Sequence, residues 1–184
     1  MFLAMCSGWC QGLYGTFFGV YLKEEGVDLV VSGRLWSLLG LVSIGSGLLW
    51  GAVSDRLGRR QAMTFSYAIY GVGLLLFWLA PVMAGFVVSV ALVALVFRAN
   101  YTVAAAACAD YVAPHLTRAA FGFIGVGIGI GWAAGAPFAG WVADTTGDLG
   151  WVFVLAAGGA AAGVIIARFL PQRSLLQLSP SPAD

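Results

Sequence analysis

The chain has 184 residues, of which 61% are hydrophobic and only 9% charged, and its formal net charge is +1 at pH 7. Soluble domains carry about 25% charged residues, so a water-solvated globular domain is excluded and lipid is the expected solvent. No basic run is long enough to track a phosphate backbone, so nucleic acid is not an expected partner.

An apolar helix needs about 20 residues to cross a bilayer. Six such runs follow one another, at about 1–22, 33–54, 61–80, 83–107, 119–142 and 149–170. Polar residues separate them: Lys23, Glu24, Glu25 and Asp28 after the first, an arginine-rich segment after the second, and Ala80-Pro81 after the third. Asp110, Pro114, His115 and Arg118 follow the fourth, and Asp144 to Asp148 the fifth. Spans five and six are rich in Gly and Ala and lack the alternation of a barrel strand, which favours helices. The fold class expected is therefore an all-α membrane protein with a six-helix domain over residues 1–170. Residues 171–184 read as a short disordered cytoplasmic tail. Span one has no basic lead-in and is followed at once by further spans, unlike a signal peptide. Arg56, Arg59, Arg60, Arg118, Arg168 and Arg173 fall on one side, against Lys23 and Arg34 on the other. Cationic loops stay inside, which puts both termini in the cytoplasm and the protein in the plasma (inner) membrane.

Two segments read almost alike, 89 residues apart: GAVSDRLGRR from Gly51 and GWVADTTGD from Gly140. Gly51, Val53, Asp55 and Gly58 pair with Gly140, Val142, Asp144 and Gly147. Three spans lie between the copies, so they sit on opposite sides of the bilayer. That is the pattern of two inverted three-helix repeats, about 1–80 and 83–170.

GAVSDRLGRR resembles the loop signature of the major facilitator superfamily, G-x-x-x-D-R-x-G-R-R, with Gly51, Asp55, Arg56, Gly58, Arg59 and Arg60 matching. The segment GWAAGAPFAGWVADTTGDLGWVF is similar to the eleventh span of such proteins and the loop after it. Pro137, Asp144 and Gly147 match there, while Ala136 stands where a Gly is expected and Gly140 is the nearest to the patterned Gly. Ala109 to Gly122 resembles the link between spans ten and eleven. The resemblance implies half of a twelve-helix fold. The abrupt apolar start and short polar tail point to the C-terminal half, completed by a missing six-helix half or by a homodimer partner. It also implies that Asp55, Arg56 and Arg60 help lock one conformation of two rocking halves. Asp55 would accept from the N-terminus of another helix, and Arg59 and Arg60 would pair with nearby acids or with anionic lipid. Plain anchoring by cationic loops explains the arginines but not the Asp and Gly spacing. The function implied is secondary active or facilitative transport of a small solute by alternating access. The alternative is a non-transporting half or scaffold.

Substrate candidates come from polar residues at membrane depth. Arg98 lies 12 residues before Asp110, roughly 18 Å along a helix and hence near the midplane, where an ionisable group is costly. Two readings stand: a guanidinium that holds a carboxylate or phosphate in a wet cavity, or one satisfied by carbonyls between helices. The first tilts the expected solute toward an organic anion. Tyr101 follows Arg98, and Gln11 and Tyr14 share a face of span one with Tyr21 within reach, as cavity lining or as ordinary interhelical contacts. No carboxylate lies deep in a span. Gly125, Gly127, Gly129 and Gly131 form a dense small-residue stripe, and Gly131, Gly135, Pro137 and Gly140 make span five a packing and bending element. GVGIGIG follows no strand and is not a dinucleotide fingerprint. Trp9, Trp50, Trp78, Trp141 and Trp151 read as interface-belt residues. Cys6, Cys10 and Cys108 have no metal-ligand spacing, and neither metal nor cofactor is expected. Nor is an enzyme, since no G-x-S-x-G or G-x-x-x-x-G-K-[ST] string is present and the single histidine, His115, lies in a loop.

Overall fold

The computed structural model describes residues 1–113 and 115–170, the side chain of Tyr111 excepted. The tail expected at 171–184 lies outside these residues, as do Pro114 and Arg173. Among the described residues the chain forms seven helices: α1 (Phe2–Glu24), α2 (Leu29–Leu57), α3 (Arg59–Leu79), α4 (Met83–Val96), α5 (Ala99–Tyr111), α6 (Thr117–Thr146) and α7 (Gly150–Ala167). They occupy the six apolar runs, with the fourth run divided between α4 and α5. Among the described residues five stretches are long and apolar enough to cross a membrane: Leu29–Leu57, Arg59–Leu79, Met83–Asp110, Thr117–Thr146 and Gly150–Ala167. Helix α1 is 23 residues long but is not among them, because Ser7, Gln11, Trp9, two tyrosines and four glycines within it dilute its apolarity. It tolerates those residues because it packs chiefly against α6 and α7, with further contacts to α2 and α5.

The helix ends follow local chemistry. Asp28 caps α2, its Oδ1 accepting from the Val30 N–H at 2.8 Å, which satisfies one orphan donor of the first turn. Helix α2 stops at Gly58, with φ +87°, and α6 stops at Gly147, with φ +69°. These two glycines are equivalent in the repeated sequence pattern, and each takes a backbone conformation that a side chain would strain.

Lipid is as apolar as leucine, so close packing and hydrogen bonds hold membrane helices together. Two contact regions dominate. Near the Lys23 end, Tyr14, Phe18, Tyr21, Phe77, Phe86 and Phe153 form a ring cluster joining α1, α3, α4 and α7, with the Phe77 and Phe153 centroids 4.7 Å apart. Such pairs contribute about 0.5–1.5 kcal/mol each beyond burial. The second region is glycine-built. Gly127, Gly131 and Gly135 recur every four residues on the buried face of α6, against α1. A Cβ on Gly131 would run into the Met5 carbonyl and lie 2.6 Å from the Trp9 nitrogen, and one on Gly8 would strike the Ile128 carbonyl. Gly122, Gly125, Gly129 and Gly140 have nothing within 4 Å of such an atom. The stripe read in span five is thus two faces, one locked to α1 and one open. Pro137 sits inside α6, which continues unbroken to Thr146.

Two of the tryptophans do not sit in an interface belt. Trp9 Nε1 donates to the Leu155 carbonyl of α7 at 3.1 Å, and Trp50, 4% exposed, donates to the Leu95 carbonyl at 2.8 Å. Trp141 and Trp151 are exposed, and Trp151 pairs with Trp78 at 5.9 Å. The glycine interface makes a direct prediction. Gly131→Val lowers stability by about 1–3 kcal/mol through overpacking, whereas Gly129→Ala stays within about 0.5 kcal/mol of wild type. Unfolding of both variants in mixed micelles checks the difference; equal stability would remove the close α1–α6 approach.

Candidate functional site

The fourth span breaks at Phe97 and Arg98, between α4 and α5. The Phe97 N–H turns tightly to the Ala94 carbonyl at 3.3 Å, and Arg98 has φ −98° and ψ −6°, so the regular ladder lapses here. Neither glycine nor proline occupies the break. Backbone groups freed inside a bilayer must find other partners, and side chains from α1 and α2 supply them. Trp50 donates to the Leu95 carbonyl, Gln11 Nε2 reaches the Phe97 carbonyl at 3.5 Å, and the Arg98 N–H donates to Ser46 Oγ at 3.2 Å. Gly47 lets α2 approach: a Cβ there would lie 3.3 Å from Thr102 Oγ1 and 4.0 Å from the Arg98 Cβ, whereas one on Gly51 would make only ordinary contact, 3.9 Å from Thr102 Cγ2.

The structure brings Arg98 and Gln11 to this break, with Tyr101 one turn further along α5. The Arg98 side chain is exposed and makes no ion pair among the described residues. Tyr101 is 44% exposed and meets Phe121 of α6 edge-on at 5.1 Å. Tyr14 does not join them. It is fully buried in the ring cluster, between Phe18, Phe77 and Phe153, and Tyr21 stands in the same cluster. Beside the break, Asn100 is buried and its Oδ1 lies 2.6 Å from Ser66 Oγ of α3. Ser46 and Trp50 were not foreseen as parts of this site, and Asn100 enters the sequence reading only as a neighbour of Arg98. The available signal was on α2, where Ser32, Ser43, Ser46 and Ser54 are all buried; small hydroxyls on an inward helix face mark contacts with another backbone.

The arginine-rich loop forms a second polar centre. Arg59 is its hub: its guanidinium donates to Ser54 Oγ at 2.7 Å, to Asp55 Oδ1 at 2.7 Å and to Asp110 Oδ2 at 2.8 Å. The α2–α3 turn is thereby tied to the last turn of α5. The Arg59 side chain is 17% exposed, against 67% for Asp55 and 35% for Asp110. The Asp110 contact is therefore the better shielded of the two. Arg56 is exposed and Arg60 half-buried, and neither forms an ion pair among the described residues. Gly58 permits the turn that aims Arg59 back at Asp55. The second copy of the pattern has no arginine, and Asp144 is exposed and unpaired among the described residues.

The family model of the Major Facilitator Superfamily matches residues 1–183. The chain belongs to the major facilitator superfamily. Similar proteins include uncharacterized MFS-type transporters of Burkholderia mallei strain SAVP1 and of Burkholderia pseudomallei strains 668 and K96243. Each is 31% identical over 154 residues, covering 80% of this chain and 38% of the relative. The chain thus spans well under half the length of the curated relatives it matches. Family membership and the apolar helices make this superfamily chain an integral membrane protein.

The loop centre makes a testable prediction. In double-mutant cycles read by unfolding, Arg59 and Asp110 couple by about 1 kcal/mol, while Arg59 and Asp55 couple by less than about 0.5 kcal/mol because exposed pairs are screened. A larger coupling to Asp55 than to Asp110 would reverse this ranking.

Proposed function

We propose that this chain is a six-helix half of a carrier that moves a small solute across the plasma (inner) membrane by alternating access, with both termini cytoplasmic. The observation that carries the reading is Arg98: an exposed guanidinium, without an ion pair among the described residues, at an interruption of the fourth span in a chain of a transporter superfamily. A cation at that depth persists where water or an anionic ligand meets it. The solute class is accordingly an organic anion such as a monocarboxylate, held by Arg98 with Tyr101 and Gln11 beside it.

The carrier needs a second six-helix unit, either another half or a second copy. The relatives' extra length favours the first. Helices α2 and α6 are the natural seat for it, since only 28% and 22% of their apolar windows are buried, against 44–50% for the other three membrane-crossing stretches. The two units rock about the bound solute, and Asp55, Arg56 and Arg60, held in register by Arg59, latch one state. The two halves of the chain, about 1–80 and 83–170, are inverted repeats in this reading. Its support is that α2 and α6 each end at a glycine of positive φ, Gly58 and Gly147, at equivalent places in the repeated pattern.

The test is binding of radiolabelled pyruvate and benzoate to the assembled carrier in nanodiscs. Arg98→Gln weakens binding of the anion by about 10- to 100-fold, the loss of one charged hydrogen-bonded contact, and Arg98→Lys falls between. Wild-type affinity in folded Arg98→Gln would remove Arg98 from the site, and failure of wild type to bind either probe would remove the monocarboxylate assignment.

A further inference from the structure

Beside the break lies a small cavity of about 20 Å³ between α1, α3, α5 and α6. Ser7, Gln11, Met63, Tyr67, Asn100 and Tyr101 are among the residues that line it. A chain of hydrogen bonds enters it from each side. On one side Tyr67 Oη donates to the Leu3 carbonyl at 2.5 Å, so the contact between Ser7 Oγ and Tyr67 Oη, 2.6 Å long, takes its proton from Ser7. The lone pairs of Ser7 are left as acceptors. On the other side Ser66 Oγ lies 2.9 Å from the Met63 carbonyl and 2.6 Å from Asn100 Oδ1.

Asn100 is 3% exposed, and its Nδ2 has no partner among the described residues. Turning the amide over does not cure this. With Nδ2 toward Ser66 the hydroxyl donates to Met63, and Oδ1 becomes the orphan. In either orientation one polar atom of the amide is left over. Leaving such an atom without a partner costs about 1–3 kcal/mol.

We propose that this cavity is a binding site for one internal water molecule, which joins the Asn100 amide to Ser7 and Gln11. The occupant's chemistry follows from the amide. A cation would satisfy only a free Oδ1 and a carbonyl only a free Nδ2, whereas water satisfies both. The size agrees: one water needs roughly 10–15 Å³ and two to four polar partners, which Asn100, Ser7, Gln11 and Tyr67 provide. The water completes a polar chain from the Leu3 carbonyl of α1, through Tyr67 and Ser7, to Asn100 and Ser66. It thereby fixes the start of α5 against α1 and α3 without any charged group.

Radiolytic hydroxyl labelling read by mass spectrometry tests this on the full chain in nanodiscs. Tyr67 is 1% exposed, so bulk radicals do not reach its ring, but an adjacent bound water generates one beside it. The controls are Phe77 and Phe153, both fully buried in the ring cluster. Tyr67 is expected to label at least fivefold faster than either ring after correction for intrinsic reactivity. Ser7→Val, which adds a methyl to the cavity and removes an acceptor, brings Tyr67 down to the control rate. Labelling of wild-type Tyr67 no faster than Phe77 overturns the site whether or not the variant folds. So does an unchanged rate in folded Ser7→Val.

Discussion

A backbone cannot be left unpaired in hydrocarbon, and the interruption of the fourth span at Phe97 and Arg98 makes much of the fold answer to that constraint. The Leu95 and Phe97 carbonyls and the Arg98 N–H are taken by Trp50, Gln11 and Ser46. Three side chains from two helices therefore have to arrive at fixed heights. Helix α2 can do so because Gly47 lets it close on α5, and α1 because its glycines let α6 close on it from the other side. The break thus converts small residues elsewhere in the chain into requirements of geometry.

The two polar centres of the molecule share a design. At the break and at the arginine-rich turn alike, one residue of a helix terminus is held from several directions. Arg59 ties three oxygens from α2 and α5, and the α4–α5 junction is tied by α1 and α2. Helix α5 is consequently fastened at both ends while its middle is Ala-rich and makes few specific bonds.

Much of this was legible in the sequence because it depends on local chemistry. The helix boundaries follow Asp28, Gly58, Ala80-Pro81 and Gly147, residues whose backbone or capping preferences act within a few positions. The family was legible because the loop after span two keeps a fixed Asp, Gly and Arg spacing. The break was not, since Val96, Phe97 and Arg98 carry no glycine or proline, and the run from Met83 to Asp110 is apolar enough to read as one helix. It exists because Trp50, Gln11 and Ser46 reward it, and those residues are 45, 86 and 52 positions away. The same reason hid which acid Arg59 would reach across the fold, since Asp110 is 51 positions distant. Trp50 reads as an interface residue by its place near a span end, yet its indole is buried because a freed carbonyl lies opposite it. Tyr14 and Gln11, three apart on one helix, part company because Phe77 and Phe153 claim the tyrosine.

The modest apolarity of α1 bears on how the chain is made. The helices it packs against most, α6 and α7, are synthesised well after it, and its bonds from Trp9 and Cys10 to α7 span 146 residues. A segment too polar to be comfortable in lipid by itself has to wait for those partners. During synthesis α1 is the element whose residence in the bilayer is least secure, and it becomes permanent only when α6 closes over Gly8 and Gly12. Closing α1 onto α6 and α7 is therefore a long-range event that follows formation of the helices between them.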